Sequence, residues 1–300
     1  MSQPEFKLSG ELKLGPVCLR TKDLDSMLSF YGGDFGLKVV RSDGDYTALA
    51  TSGTNEPIII LHHELKSSSP PPNATGLYHY ALLVPDRRTL AAAYLALGGK
   101  GVVFEGYADH RVSEALYLRD PEGNGIEIYA DRPRSEWVFD EGGVEMTTQP
   151  LDLDSLIKEL PSGEQGQAQA IPAGTIVGHV HLKVSDLQAP IGFYGGALGL
   201  ELMRYLGSAA FLSAGRYHHH VGMNTWESLG GPAARKTWIG VEYFAFTIPG
   251  TDLNELSSRL GIRTLVQDGN SARLFLSDPD DINLIFNASA QPPVSARDGI

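Results

Sequence analysis

Cysteine is the scarcest residue in this chain: Cys18 is the only one in 300 residues, so no internal disulfide can form. That fits a reducing compartment. No apolar run approaches the roughly 20 residues that span a bilayer. The opening MSQPEFKLSG also lacks the basic and apolar regions of a signal peptide, so a cytoplasmic protein without a membrane partner is expected. Basic residues are outnumbered, 24 Lys and Arg against 36 Asp and Glu, for a net charge of −12. No basic stripe exists to neutralise phosphates, which excludes nucleic acid as a partner. Phosphate-binding loops, a Ser-His-Asp nucleophile elbow and zinc-type CxxC pairs are missing too. The glycine pairs Gly32-Gly33 and Gly195-Gly196 read as helix C-caps.

What is present is ordinary globular material, 42% apolar and 20% charged, long enough for two cores. The chain also repeats itself. Asp23-Leu24, Phe30-Tyr31-Gly32-Gly33 and Gly36-Leu37 return as Asp186-Leu187, Phe193-Tyr194-Gly195-Gly196 and Gly199-Leu200, a constant offset of 163 residues. Each copy opens with a short apolar strand (Pro16–Arg20; Val180–Val184), followed by an amphipathic helix and alternating strands. A weaker copy follows in each half, with a helix over Arg88–Leu97 or Leu253–Leu260 and strands closed by Asp120-Pro121 or Asp278-Pro279.

The expected class is therefore α+β, with four βαβββ units at 12–65, 76–131, 176–226 and 239–288. An N-terminal domain at 12–132 and a C-terminal domain at 176–288 would each hold two units as curved mixed sheets. Residues 133–175 read as a linker with a short helix near Leu153–Leu160, and 1–10 and 289–300 as flexible tails. Two units side by side enclose a cup, a natural place for a ligand.

The stretch ADHRVSEALYLRDPEGNGIE (108–127) carries the chemistry. It reads as loop, strand Ser113–Arg119, a tight turn at Asp120–Gly125, then a return strand. Glu127 lies on that strand between Ile126 and Ile128, where a buried carboxylate needs a cationic partner. His79 sits in the otherwise apolar or aromatic run Leu77–Leu82 that opens the same unit. The first and last strands of such a unit are neighbours.

His110, Leu116-Tyr117, Asp120-Pro121, Gly123 and Glu127 match the spacing of the type I extradiol ring-cleavage signature, apart from Ala108 at its first position. With LYHYALLVP, NGIEIYADRP and YHHHVGMNTW, the chain resembles the catechol-2,3-dioxygenase-like branch of the vicinal oxygen chelate superfamily. The resemblance spans nearly the whole chain. It implies Fe(II) held by two histidines and one glutamate, with Mn(II), Ni(II) or Zn(II) as substitutes in the fold. It makes His110 an acid–base group and Tyr117 a donor to a substrate oxygen, and it implies a small aromatic substrate, dioxygen and often a homodimer.

His79 and Glu127 fall at two ligand positions. The third, expected on the first strand of unit one, is Cys18, whose counterpart in the second copy is His181. Cys18 reads more simply as a small buried hydrophobe. If unit two pairs with unit three, His181 can complete the site. If it pairs with unit one, an imidazole is lacking. His218-His219-His220 reads as a strand with His218 and His220 on one face, so that His79, Glu127, His181 and His220 form a four-ligand alternative. Unit four offers Phe244 against His79 and Leu284 or Ile285 against Glu127, and cannot build such a site.

Three functions fit these residues. The leading one is metal-dependent extradiol cleavage of a catechol-like aromatic or polyphenol. The loss of an expected histidine at Cys18 leaves open a metal-assisted isomerase, lyase or rearrangement reaction on an aromatic or polyketide substrate. A non-catalytic protein binding a small aromatic is the third.

Overall fold

The apolar alternation along each half resolves into four units of one helix and four strands in a computed structural model that describes residues 6–161, 170–262, 266–268 and 271–289. Unit one comprises β1 (Lys13–Thr21), α1 (Leu24–Leu28), β2 (Lys38–Asp43), β3 (Tyr46–Ala50) and β4 (Ile59–His63). Unit two has β5 (Gly76–Leu83), α2 (Arg87–Gly99), β6 (Phe104–Asp109), β7 (Ser113–Arg119) and β8 (Gly125–Asp131). A ribbon of β9 (Phe139–Asp140) and β10 (Gly143–Val144) and a short α3 (Leu153–Ile157) occupy the connection. Unit three holds β11 (Ile176–Lys183), α4 (Gln188–Ile191), β12 (Glu201–Tyr205), β13 (Ala209–Ser213) and β14 (Val221–Asn224). Unit four holds β15 (Gly240–Ile248), α5 (Gly250–Arg259), β16 (Val266–Asp268), β17 (Ser271–Ser277) and β18 (Asn283–Ala288).

Local chemistry explains these boundaries. Asp86 caps α2 by accepting from the Thr89 N–H at 2.8 Å, while Thr89 Oγ1 accepts from the Asp86 N–H at 3.0 Å. That reciprocal box satisfies two orphan donors. Leu90, Ala93 and Leu97, spaced three and four apart, then face the core. The glycine pairs are not C-caps. Both helices widen into π-type turns, Ser29–Asp34 and Gly192–Ala197, that run through the pairs. The positive φ that only glycine takes easily falls later, at Gly36 (79°) and Gly199 (84°).

The units pair across the halves of the chain. One eight-stranded sheet runs β16-β17-β18-β15-β1-β4-β3-β2, joining units four and one; the other runs β12-β13-β14-β11-β5-β8-β7-β6, joining units three and two. Neither sheet is confined to 12–132 or to 176–288, and of the two pairings left open by the sequence, unit two takes unit three. Both sheets turn one face to a shared hydrophobic core that includes Leu19, Leu61, Tyr80 and Leu116.

Buried hydrogen bonds tie each half together across the sheets. Tyr31 in unit one donates to Asp120 in unit two at 2.9 Å, and Tyr194 in unit three donates to Asp278 in unit four at 2.9 Å. These are the repeated Phe-Tyr-Gly-Gly and Asp-Pro motifs, so the repeat marks a pair of interlocks. Burial pushes the Asp278 carboxyl up to about 6 despite the backbone N–H groups it accepts.

Within the segments expected to be flexible, Leu8 is buried and its N–H donates to Gly199 O at 3.0 Å. Residues 1–5, 162–169 and 290–300 lie outside the described residues. No helix among the described residues is long and apolar enough to cross a membrane.

Candidate metal centre and its cavity

The sheet that joins units two and three places three donors around the small side chain of Ala81. On β5, Ala81 is flanked by Glu127 of the parallel β8 and by His179 of the antiparallel β11, and His79 lies two residues back on the same face. One donor atom from each of His79, Glu127 and His179 falls within 4.8 Å of the others. Two glycines permit this. Gly125 lies opposite His79, and a Cβ there would fall 2.1 Å from Tyr78 O. Gly178 is the extra residue of a bulge between Val177 and His179, where a Cβ would fall 1.9 Å from the Tyr129 hydroxyl. The bulge re-aims β11 so that His179 faces the cup.

Chemistry and geometry both suit a cation here. Glu127 Oε2 is 3.0 Å from His79 Nε2 and 3.2 Å from His179 Nε2. Only His179 is aligned to hydrogen-bond it; His79 Nε2 is a buried nitrogen without a hydrogen-bond partner. Burial opposes ionisation of Glu127, but His179 and His79 outweigh it and hold its carboxyl well below the usual range. Burial pushes the His179 imidazole down to about 4, with Glu127 opposing, so the ring is neutral at pH 7 and carries a lone pair. A buried carboxylate beside two imidazoles, one a neutral ring and the other with an unsatisfied buried nitrogen, is a donor set that fits a divalent ion.

His110 and Tyr117 lie in the same cavity, about 490 Å³ in volume. Tyr117 is directly opposite Glu127 in the β7–β8 register. Tyr117 Oη is 2.7 Å from His110 Nε2, and His110 Nδ1 is 2.6 Å from Thr147 O. A carbonyl can only accept, so Nδ1 carries the proton and Nε2 is the bare acceptor for the tyrosine O–H. Burial, followed by the charge of Glu127, keeps Tyr117 protonated by raising its pKa well above the normal value.

The remaining sequence candidates stand outside the converging donor group. His181 is on the right sheet, facing His79, but the converging group does not include it. Its Nε2 lies 3.0 Å from Asn224 Nδ2, and burial holds its pKa well below normal, so it lines the cavity as a neutral ring. Cys18 is in the other sheet, packed on Ala48 and Ile60, and burial pushes its thiol well up. The histidine run lies in the connection before β14 rather than on a strand, and its polarity is the reverse of the one expected. His219 reaches the cavity, whereas His220 accepts the Ala214 N–H at 3.2 Å. His218 bridges the Asp131 carboxylate (2.9 Å) and His219 Nδ1 (2.8 Å). In unit four it is Tyr243, not Phe244, that matches His79 by register, and Ile285 that matches Glu127.

Sequence reasoning passed over His179 and His219. The signal for His179 was present: two histidines two apart on a strand share a face, so His179 is as eligible as His181.

Comparison with known proteins gives a consistent picture. A sequence model described as the Glyoxalase/Bleomycin resistance protein/Dioxygenase superfamily matches residues 13–128. A catechol-2,3-dioxygenase of Bacillus subtilis (strain 168) is 40% identical over 239 residues, covering 79% of this chain and 82% of that protein. A biphenyl-2,3-diol 1,2-dioxygenase 3 of Rhodococcus globerulus is 31% identical over 127 residues, covering 40% of this chain and 63% of the relative. Among solved structures, a Bacillus subtilis protein described as a dioxygenase superposes with a TM-score of 0.61 at 14% identity, over 94% of this chain and 86% of the other. Glyoxalase I of Zea mays superposes at 0.54 and 17% identity, over 93% of this chain and 92% of its own.

Proposed function

Starting from a chain that belongs to the glyoxalase/bleomycin resistance protein/dioxygenase superfamily, we propose an extradiol-type oxidoreductase that opens a catechol-like ring with dioxygen. The observation that carries this reading is one cavity holding both the His79, Glu127 and His179 donor group and the hydrogen-bonded His110–Tyr117 pair. Two imidazoles and one carboxylate with positions left open are the donor set of non-haem Fe(II) oxygenases, so Fe(II) is the ion assigned to them. Bound there, Fe(II) supplies Lewis acidity toward a vicinal diol and the redox chemistry that dioxygen requires.

The protein's own groups do the rest. His110 presents a bare Nε2 because Thr147 O holds the proton on Nδ1. A substrate hydroxyl that displaces the tyrosine O–H from Nε2 gives up its proton there, and the imidazolium later returns it. Tyr117, released from His110, stays protonated and donates to a substrate oxygen. Glu127 is the single acidic member of the donor group, so its charge falls short of neutralising a divalent ion, which favours a diol that binds as an anion.

The test is oxygen uptake by anaerobically iron-loaded protein across a panel of catechols. One dioxygen consumed per ring, with a yellow ring-opened product, is the expected result. His110→Asn should lower kcat by about 10²–10⁴-fold with iron content unchanged. Turnover that proceeds without oxygen, or no uptake with any catechol, would overturn the assignment.

A further inference from the structure

Residues 133–149 read in sequence as part of a linker, but they run from unit two to unit three and form one wall of the cavity. Met146, Thr147 and Thr148 line it. At the unit-two end, Asp109 and Gln149 exchange two backbone hydrogen bonds, of 2.8 and 3.0 Å. At the other end the β9–β10 ribbon sits on β12 of unit three. Arg204 donates a bidentate pair of hydrogen bonds to the Asp140 carboxylate at 2.8 and 3.0 Å, and the Arg216 guanidinium lies 4.5 Å from the centre of the Phe139 ring. Val144 is fully buried in a small core of its own, with Val112, Trp137, Met203 and Tyr217. Gly143 makes this seat possible: its φ is 109°, and a Cβ there would fall 1.8 Å from Met203 O.

Between the two ends lies the carbonyl that fixes His110. Thr147 O holds the proton on His110 Nδ1 and so leaves Nε2 bare. The grip of Thr147 itself on unit two is slight. Its N–H reaches His110 O at 3.3 Å, longer than the usual N–H···O range, and its hydroxyl is buried without a hydrogen-bond partner. Thr147 stands only three residues from the buried Val144. A carbonyl suspended between two anchors is placed by both, so the seat on β12 helps to set where Thr147 O points.

We propose that Gly143, Val144 and Arg204 are positioning residues for His110: unit three, through the strap 137–149, holds the tautomer on which proton transfer by unit two depends. This rests on the extradiol reading for what His110 does in turnover; the tautomer itself does not. Unit three then has two roles, supplying His179 and bracing His110 from across the cavity.

Two variants unseat the strap without touching the cavity. Gly143→Ala should lift the ribbon from β12. With iron content unchanged, kcat for catechols should fall about tenfold or more while KM stays within about threefold, since the loss lies in proton transfer and not in binding. Arg204→Met removes the clamp without a clash and should lower kcat by about two- to fivefold. Neither loss should add to that of His110→Asn, because all act through one imidazole. A readout free of turnover is the long-range nitrogen–proton correlation spectrum of the histidines in zinc-loaded protein, a diamagnetic stand-in for the iron form. The wild type should show His110 as the Nδ1–H tautomer alone, and both variants an average of the two tautomers; the signal is assigned by its absence from His110→Asn. An Nδ1–H tautomer unchanged in both variants, or losses that multiply with that of His110→Asn, would overturn the role of the strap. If Gly143→Ala does not fold, Arg204→Met decides the matter alone. Absence of oxygen uptake with every catechol would instead overturn the functional reading, and the tautomer would still decide for or against the strap.

Discussion

Two glutamates, Glu127 and Glu242, occupy the two sheets of this molecule and solve the same electrostatic problem differently. In the sheet of units two and three, Glu127 is ion-paired with the imidazoles of His79 and His179, and its side chain is 4% exposed. In the sheet of units one and four, the Arg20 guanidinium sits 3.0 Å from Glu242 Oε2, His62 contacts the same oxygen, and Tyr46 donates to Oε1 at 3.2 Å. The frameworks are otherwise alike. The facing pair His79 and His181 becomes Tyr243 and Cys18, Glu127 becomes Ile285, and Tyr117 becomes Phe275. One sheet carries its cation in the chain; the other pairs its carboxylate with histidines, the donor group proposed above to take a cation from outside. The same βαβββ scaffold thus carries a closed polar cluster in one sheet and, in the other, the donor group proposed above to hold a metal.

The sharpest break of this comparison is at β11. His179→Ala should lower iron affinity by more than about a hundredfold, beyond what loss of an outer partner costs, as should His79→Ala and Glu127→Ala. His181→Ala and Cys18→Ala should keep their iron. Iron per chain after desalting under anaerobic conditions reads the result. If His181→Ala loses metal as completely as His179→Ala, the assignment of the third ligand fails.

The next effect belongs to the other sheet. Arg20→Met strands Glu242 in a largely buried setting, and urea denaturation should show a loss of about 3 kcal/mol. Iron content should not change. Adding Glu242→Leu to Arg20→Met should restore most of the loss, because a well-packed apolar pair removes the unpaired charge. A double variant as unstable as the single one would show that Arg20 acts through packing, not through its charge.

The sequence made some of this legible and hid the rest for identifiable reasons. The four units could be read because Tyr31 and Asp120, like Tyr194 and Asp278, recur in motifs that make the same buried hydrogen bond. His79 and Glu127 could be read because each is a polar side chain set in an apolar strand. Which units share a sheet could not be read, since β5 presents the same edge pattern to β1 or to β11. His179 was hidden by the repeat itself. Comparison of the two copies draws the eye to Cys18 and His181, whereas His179 stands against Pro16. The bulge at Gly178 that turns His179 inward is a tertiary feature, set by the Tyr129 hydroxyl that fills the space a Cβ would need. The polarity of His218-His219-His220 was misjudged for a related reason: alternation assumes a strand, and this run is an irregular connection fixed by Asp131 and the Ala214 N–H.

The smallest expected effect concerns the neutral histidines that set the unit two and three sheet apart from its arginine-bearing counterpart. Burial pushes the His220 imidazole down to about 3, while in the unfolded chain it titrates near 6.5. Between those values the unfolded state binds the extra proton, so stability contributed at this position is present above about pH 6.5 and is lost as pH falls toward 3. His220→Asn keeps an acceptor for the Ala214 N–H but cannot take up that proton. The variant should be less stable than the wild type at pH 7 through lost packing, and the gap should narrow by about 2 kcal/mol between pH 6 and pH 4. Urea midpoints measured across that range read the narrowing. A His220→Asn gap that stays constant with pH would mean that the imidazole is solvated and charged, and that the connection before β14 is wetter than its packing indicates.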